Sequence, residues 1–251
     1  MRFVFASLVV AICAQFAHAT TLDLVLGNPN PAGTVVLSGS ALPSPYQGGV
    51  NVYAGVLNWT DQHNSLIQYS TYCIDVASVI NINNPYHFSL VDLATSSLYD
   101  SKVINAIENL WAQHPVEGNV GTTLGAGINA SNAATFQSAL WDIIENHYDK
   151  NGNAISPTLG FSSPGAGFTT TDLATAITWS SQAYAAGTYT GPHNFAALVA
   201  LDQGQSQAMF LTGVGPQFSP VPVPTPGSLT GGAVLLAAMA LTRRGFRRRT
   251  N

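Results

Sequence analysis

SNAATFQSALWDIIENHY, residues 131–148, decides the reading of this chain: its apolar residues recur at helical spacing in a sequence otherwise patterned for strands. At about 100° per residue, Ala133, Phe136, Leu140, Trp141, Ile143, Ile144 and Tyr148 share one broad face. Ser138, Asp142, Glu145 and Asp149 fall opposite and are predicted to face solvent. Ser131 or Asn132 is placed to cap the helix. Gln137 is the exception to the pattern, a carboxamide inside the apolar face.

Upstream, Val103, Ile104, Ile107, Leu110 and Trp111 predict another helix, ending before Pro115. A weaker one over residues 171–186 carries Leu173, Ile177 and Tyr184 and stops at Gly187. Strand patterns occupy both flanks. Leu22, Leu24 and Leu26 alternate, and apolar runs follow at 35–37, 50–57, 66–76 and 86–91, with Pro, Gly and Asn between them. Two further strands are predicted at 195–201 and 206–211. Strands, then helices, then strands give an α+β class: an antiparallel β-sandwich or barrel-like body with an inserted helical segment of about three helices.

The two ends are patterned differently. Arg2, an apolar stretch from Phe3 to Ala14 and the small-residue site Ala17-His18-Ala19 have the order of a secretory signal, so residues 1–19 are predicted to be removed and the mature chain to begin at Thr20. Residues 219–228 are rich in proline, which resists helix and favours an extended linker. Beyond them, 229–251 hold an apolar run and then Arg243, Arg244, Arg247, Arg248 and Arg249. Those cations predict a tail whose end stays cytoplasmic while the body lies outside.

This tripartite tail resembles the PEP-CTERM sorting signal of Gram-negative bacteria, with Pro224-Thr225-Pro226 in the motif position and Thr225 where Glu is commonest. The resemblance implies exosortase and the secretion machinery as partners, transient membrane anchoring, and delivery to the cell surface or extracellular matrix.

Between the ends, residues 20–218 are long enough for one domain with a real core. All twelve acidic residues lie in this body, with only Lys102 and Lys150 of the eight basic ones. So acidic a body excludes nucleic-acid binding through phosphate neutralisation. Signal removal takes Cys13 and leaves Cys73 as the single cysteine, which excludes an intramolecular disulfide and asks for another role.

A thiol beside a buried carboxamide can displace ammonia and form an internal thioester, provided water is kept out. Tyr72-Cys73-Ile74-Asp75 and Gln137-Ser138-Ala139-Leu140-Trp141 resemble the strand and helix motifs of thioester domains in bacterial surface adhesins. Phe136 stands where those adhesins usually have Thr. The resemblance implies a thioester between Cys73 and Gln137, walled by Tyr72, Phe136 and Trp141, able to capture an amine-bearing surface target. The chemistry alone leaves open an inert buried thiol and a carboxamide satisfied by backbone.

Asp149-Lys150-Asn151-Gly152-Asn153 imitates the start of a calcium loop, but its glycine is one place early and Gly160 stands where a Glu ligand belongs. A helix-ending turn fits better. The histidines lack metal-ligand spacing, no phosphate loop or glycine-flanked nucleophile occurs, and no cofactor or turnover chemistry is indicated. Two functions follow as expectations: a covalent adhesin that reacts once, and a matrix protein that binds non-covalently, for example to exopolysaccharide.

Overall fold

Alternating apolar residues settle into strands when one face has a core to cover, and here they do so in two separate antiparallel sheets. The computed structural model describes residues 21–30, 32–78, 80–94, 96–115, 128–149, 151–162, 167–191, 195–201 and 207–210. The elements are β1 (Thr21–Leu26), β2 (Ala32–Ser38), β3 (Val50–Gly55), β4 (Leu57–Asp61), β5 (Gln68–Cys73), β6 (Pro85–Asp92), α1 (Ser101–Gln113), α2 (Ala130–Asn146), β7 (Gly160–Ser162), α3 (Thr170–Ala185), β8 (Phe195–Ala200) and β9 (Gln207–Phe210). Strands β1-β4-β5-β9-β8-β6 close into a barrel, and β3-β2-β7 form a smaller sheet. The α+β class read from the sequence is the one observed, with the barrel form of its sheet. The signal segment, the proline linker, Pro224, Thr225, Pro226 and the arginine tail lie outside the described residues. No helix among those residues is long and apolar enough to cross a membrane.

The apolar run at 50–57, expected as one strand, divides at Gly55 and Val56. Gly55 has φ of 146°, a conformation that side chains resist, and there the chain leaves the small sheet for the barrel. Periodicity continues through the crossing, so the sequence pattern shows no break. The consequence falls on β5. Its pairing with β4 ends at Leu57↔Thr71, because the residues before Leu57 belong to the other sheet. Strand β7 went unanticipated, since Gly160-Phe161-Ser162 is too short to show alternation.

Two apolar clusters share the interior. One fills the barrel with Leu24, Leu26, Trp59, Phe88 and Leu198 and continues to Val35 and Leu37 of the small sheet. Inside it the Trp59 indole donates to Thr71 Oγ1 at 2.9 Å. The other cluster joins the opposite face of the barrel wall to the helices, through Tyr72, Ile74, Val91, Ile107, Leu110, Phe136, Leu140 and Ile143. Helix α2 reaches both, contacting β2, β3, β5, α1 and α3. Gly33 of β2 admits it: a Cβ there would come within 2.8 Å of the Gly167 carbonyl oxygen and 3.0 Å of the Ala134 methyl.

The helix begins at Ala130, one residue before the earliest cap expected, so its N-cap is Asn129, whose side chain accepts from the Asn132 N–H. A larger correction concerns its polar face. Ser138 and Asp142 are buried and Glu145 is half-buried, because α3 and the loops beside it cover the face that amphipathic spacing assigned to solvent. Asp142 is accommodated by Ser180 Oγ of α3, at short hydrogen-bond distance, and by Asn146 Nδ2 at 2.8 Å. Ser180→Ala removes one of these donors from a buried carboxylate and is expected to cost about 1–3 kcal/mol. Urea denaturation checks this, and a loss under about 0.5 kcal/mol would show that the pair does not join the two helices.

Candidate functional site

Strand geometry places alternate side chains of β5 on opposite faces of the barrel wall. Tyr72 therefore goes to the helix side, packing on Phe136 with ring centroids 4.8 Å apart and the ring planes tilted by 37°, and Cys73 goes to the barrel side. Cys73 sits at the end of β5, just past the point where β4 stops pairing. Its amide N–H and carbonyl on that side would lack partners if the barrel alone supplied them.

Gln137 supplies them. Its Oε1 accepts from the Cys73 N–H at 2.8 Å, and its Nε2 donates to the Cys73 carbonyl at 2.8 Å. The carboxamide thus pairs with Cys73 as a neighbouring strand would. Both residues are nearly inaccessible, Gln137 at 1% and Cys73 at 3% exposure. Cys73 takes part in no disulfide. Its thiol donates to the Asp75 carbonyl at 3.0 Å, and its sulfur lies 3.4 Å from the Asp75 N–H.

The helix stripe Gln137, Trp141 and Glu145, at intervals of four, runs along this junction. Trp141 lines a cavity of about 420 Å³ together with Cys73 and Gln137. Leu26 and Leu57 approach it from the barrel, and Leu37 and Val52 from the small sheet. Of the three aromatic walls expected, then, Trp141 borders the open space, and Tyr72 and Phe136 pack behind the pair.

No family model matches this sequence, and no curated protein does. A solved structure, the N-terminal domain of the Streptococcus pyogenes pilus tip adhesin Cpa, matches over 71% of this chain and 94% of that one, at 10% identity and a TM-score of 0.38. A likeness that slight carries no argument about this chain.

Electrostatically the site is lopsided. Glu145 is raised to about 7, chiefly by burial and then by the Asp75 carboxylate. Asp75 accepts from the Ala77 N–H at 2.9 Å and the Ser78 hydroxyl at 2.8 Å. Tyr99 donates to the Ile74 carbonyl at 2.5 Å, and burial, with Glu145 and Asp75 nearby, holds its phenol well above the usual tyrosine range. Acidic groups thus gather at the Cys73–Asp75 turn. Sequence reasoning missed this group by placing Glu145 in solvent, although its spacing of eight from Gln137 already put it on the same stripe.

Away from the junction, Asp23 joins two of the histidines that looked scattered: its carboxylate lies 2.9 Å from His63 Nε2 and 2.6 Å from His87 Nδ1. The two imidazoles are exposed and Asp23 is half-buried. Among the described residues no group of three or more His, Cys, Asp or Glu could hold a metal. The Asp149 loop closes as a turn, with Asp149 Oδ1 accepting from the Asn151 and Asn153 N–H groups at 2.8 and 2.9 Å.

Proposed function

We propose that this chain is an exported surface or extracellular-matrix protein that reacts once, covalently, through a thioester between Cys73 and Gln137. The observation that carries the reading is the carboxamide held on Cys73 by two 2.8 Å hydrogen bonds in a buried site. Hydrogen bonds to an amide lie near its plane, and a strand side chain stands roughly perpendicular to its sheet. In the proposed step the thiol leaves the Asp75 carbonyl, to which it donates at 3.0 Å, and its sulfur adds to a face of the carboxamide. Addition of sulfur to Cδ makes the C–S bond. Collapse breaks the C–N bond, and the nitrogen leaves as ammonia with the thiol proton. The Cys73 N–H, already on Oε1, is placed to stabilise the oxyanion formed between these steps.

An amine-bearing partner on another surface or in the matrix then attacks Cδ and remains attached. Since the acyl group is consumed, the protein is a reagent and not a turnover enzyme. Export by the signal segment and handling of the tail by an exosortase belong to the same proposal and rest on the sequence patterns at the two ends.

The same two hydrogen bonds also favour a second reading. A carboxamide so fully satisfied can serve purely as a structural lock, in a matrix protein that associates non-covalently with partners such as exopolysaccharide.

Intact mass separates the two. The covalent reading expects the wild type to weigh one ammonia less than its sequence, methylamine to add to it, and the Cys73 thiol then to become alkylatable. Cys73→Ala should have its full mass and take up no amine. A wild type of complete mass leaves the lock as the sole role of Gln137.

A further inference from the structure

Breaking a thioester puts charge on its sulfur, and the side chains around Cys73 do little to carry it. Among the described residues, no Lys, Arg or His lines the cavity that Cys73 borders. The titratable groups at the turn, Asp75, Glu145 and the Tyr99 phenol, are all acids. The main chain is better placed. The sulfur of the free thiol lies 3.4 Å from the Asp75 N–H and 3.0 Å from the Asp75 carbonyl, so one group donates to it and the other accepts its proton. That N–H belongs to the same peptide unit as the Ile74 carbonyl, to which the Tyr99 hydroxyl donates at 2.5 Å. Hydrogen bonds linked in this way polarise one another, so a donor on the carbonyl strengthens the N–H at the other end of the peptide. Burial holds the Tyr99 phenol well above the usual tyrosine range, which keeps its hydroxyl a donor.

We propose that the Ile74–Asp75 peptide receives the sulfur that leaves when the thioester opens, and that Tyr99 positions and polarises this peptide for the task. The leaving step rests on the thioester reading above; the hold on the free thiol does not. An amine adds through its lone pair to Cδ of Gln137 and makes the C–N bond. The C–S bond then breaks with its electron pair on the Cys73 sulfur, which the Asp75 N–H meets. The nearby Asp75 carboxylate disfavours a lasting thiolate, so the sulfur takes the proton given up by the nitrogen and donates it to the Asp75 carbonyl. The products are an amide and a thiol bound to the turn, and the hydrogen bonds of that thiol oppose its return to the amide. Tyr99 touches neither reacting atom and acts only through the peptide, as a positioning residue.

A chain that begins at Thr20 has Cys73 as its single thiol, so its S–H stretching band in the infrared reports one group. Hydrogen bonding lowers that frequency. After opening by methylamine, the band should lie below that of an alkanethiol in an apolar solvent. Tyr99→Phe, which keeps the ring and removes the hydroxyl, should move the band back upward and slow the opening by about three- to tenfold, the scale of one hydrogen bond. An unlowered band in the wild type, or a Tyr99→Phe protein that opens at the wild-type rate, overturns the proposal. So does a variant that is merely less stable, with its band unmoved. Should Tyr99→Phe fail to fold, the Asp75 amide proton of the wild type decides by NMR: it should move downfield on opening, as the sulfur arrives, and no such movement overturns the proposal. A wild type of complete mass overturns the leaving step together with the thioester reading. The untreated protein then carries the free thiol, and its band, with and without the Tyr99 hydroxyl, still decides whether the turn holds the sulfur.

Discussion

Replacing Gln137 with Ala in a Cys73→Ala background is expected to lower stability by about 2–6 kcal/mol, because two buried backbone groups each lose their partner at about 1–3 kcal/mol. The background matters, since without the sulfur no cross-link can form and the measurement isolates the hydrogen bonds. Those bonds are unusual in joining a helix side chain to the main chain of a strand whose neighbour has departed at Gly55. Cys73→Ala alone leaves both bonds in place and should cost about 1 kcal/mol for one small buried group, if no thioester exists. Urea melts of the single and double variants give both numbers. A loss below 1 kcal/mol on removing Gln137 would mean that β5 closes its end in some other way.

Glu145→Gln is expected to stabilise the protein, and to do so in a pH-dependent manner. Burial, with Asp75 as the second cause, raises the carboxyl from 4.5 to about 7, so the folded state holds this proton more tightly than the unfolded chain does. The associated stability is fully present below about pH 4.5 and is lost as pH rises through 7. That displacement corresponds to at most about 3 kcal/mol. The neutral glutamine avoids the loss. Unfolding free energies should differ by about 1–3 kcal/mol between variant and parent at pH 8 and converge near pH 4. Equal gains at both pH values would place the effect in packing and not in charge. Either way, relieving the charge should leave the Cys73 lock intact, because Glu145 makes no hydrogen bond to it among those observed.

These two residues show how unevenly the chain announces its structure. The α+β class was legible because Leu22, Leu24 and Leu26 alternate with period two, and Val103 to Trp111 recur with period 3.6. Gln137 was legible as an anomaly, a polar group on an apolar face. Its pairing with Cys73, 64 residues away in sequence, came from the likeness of two motifs, since spacing along a chain says nothing about which strand end a helix meets. Asp142 and Glu145 were misplaced for a related reason. Amphipathic analysis assumes one buried face, and α2 is covered on several sides. The division of residues 50–57 into two strands was hidden because both sheets ask for the same apolar alternation.

The lock on Cys73 also has a stereochemical direction. A primary carboxamide presents an oxygen and an N–H on the same edge, and that edge is the one applied to Cys73. In a secondary amide the favoured trans geometry puts the substituent on that edge and turns the hydrogen away, while the cis alternative costs about 2.5 kcal/mol or more. Any amine joined to Gln137 would therefore collide with the Cys73 carbonyl that Nε2 now serves. An adduct and the resting lock exclude each other. Thioester formation already removes Nε2, so either covalent state would be written into the backbone as an opened strand end, and the hydrogen-exchange pattern around Cys73 would tell a molecule that keeps its carboxamide from one that has lost it.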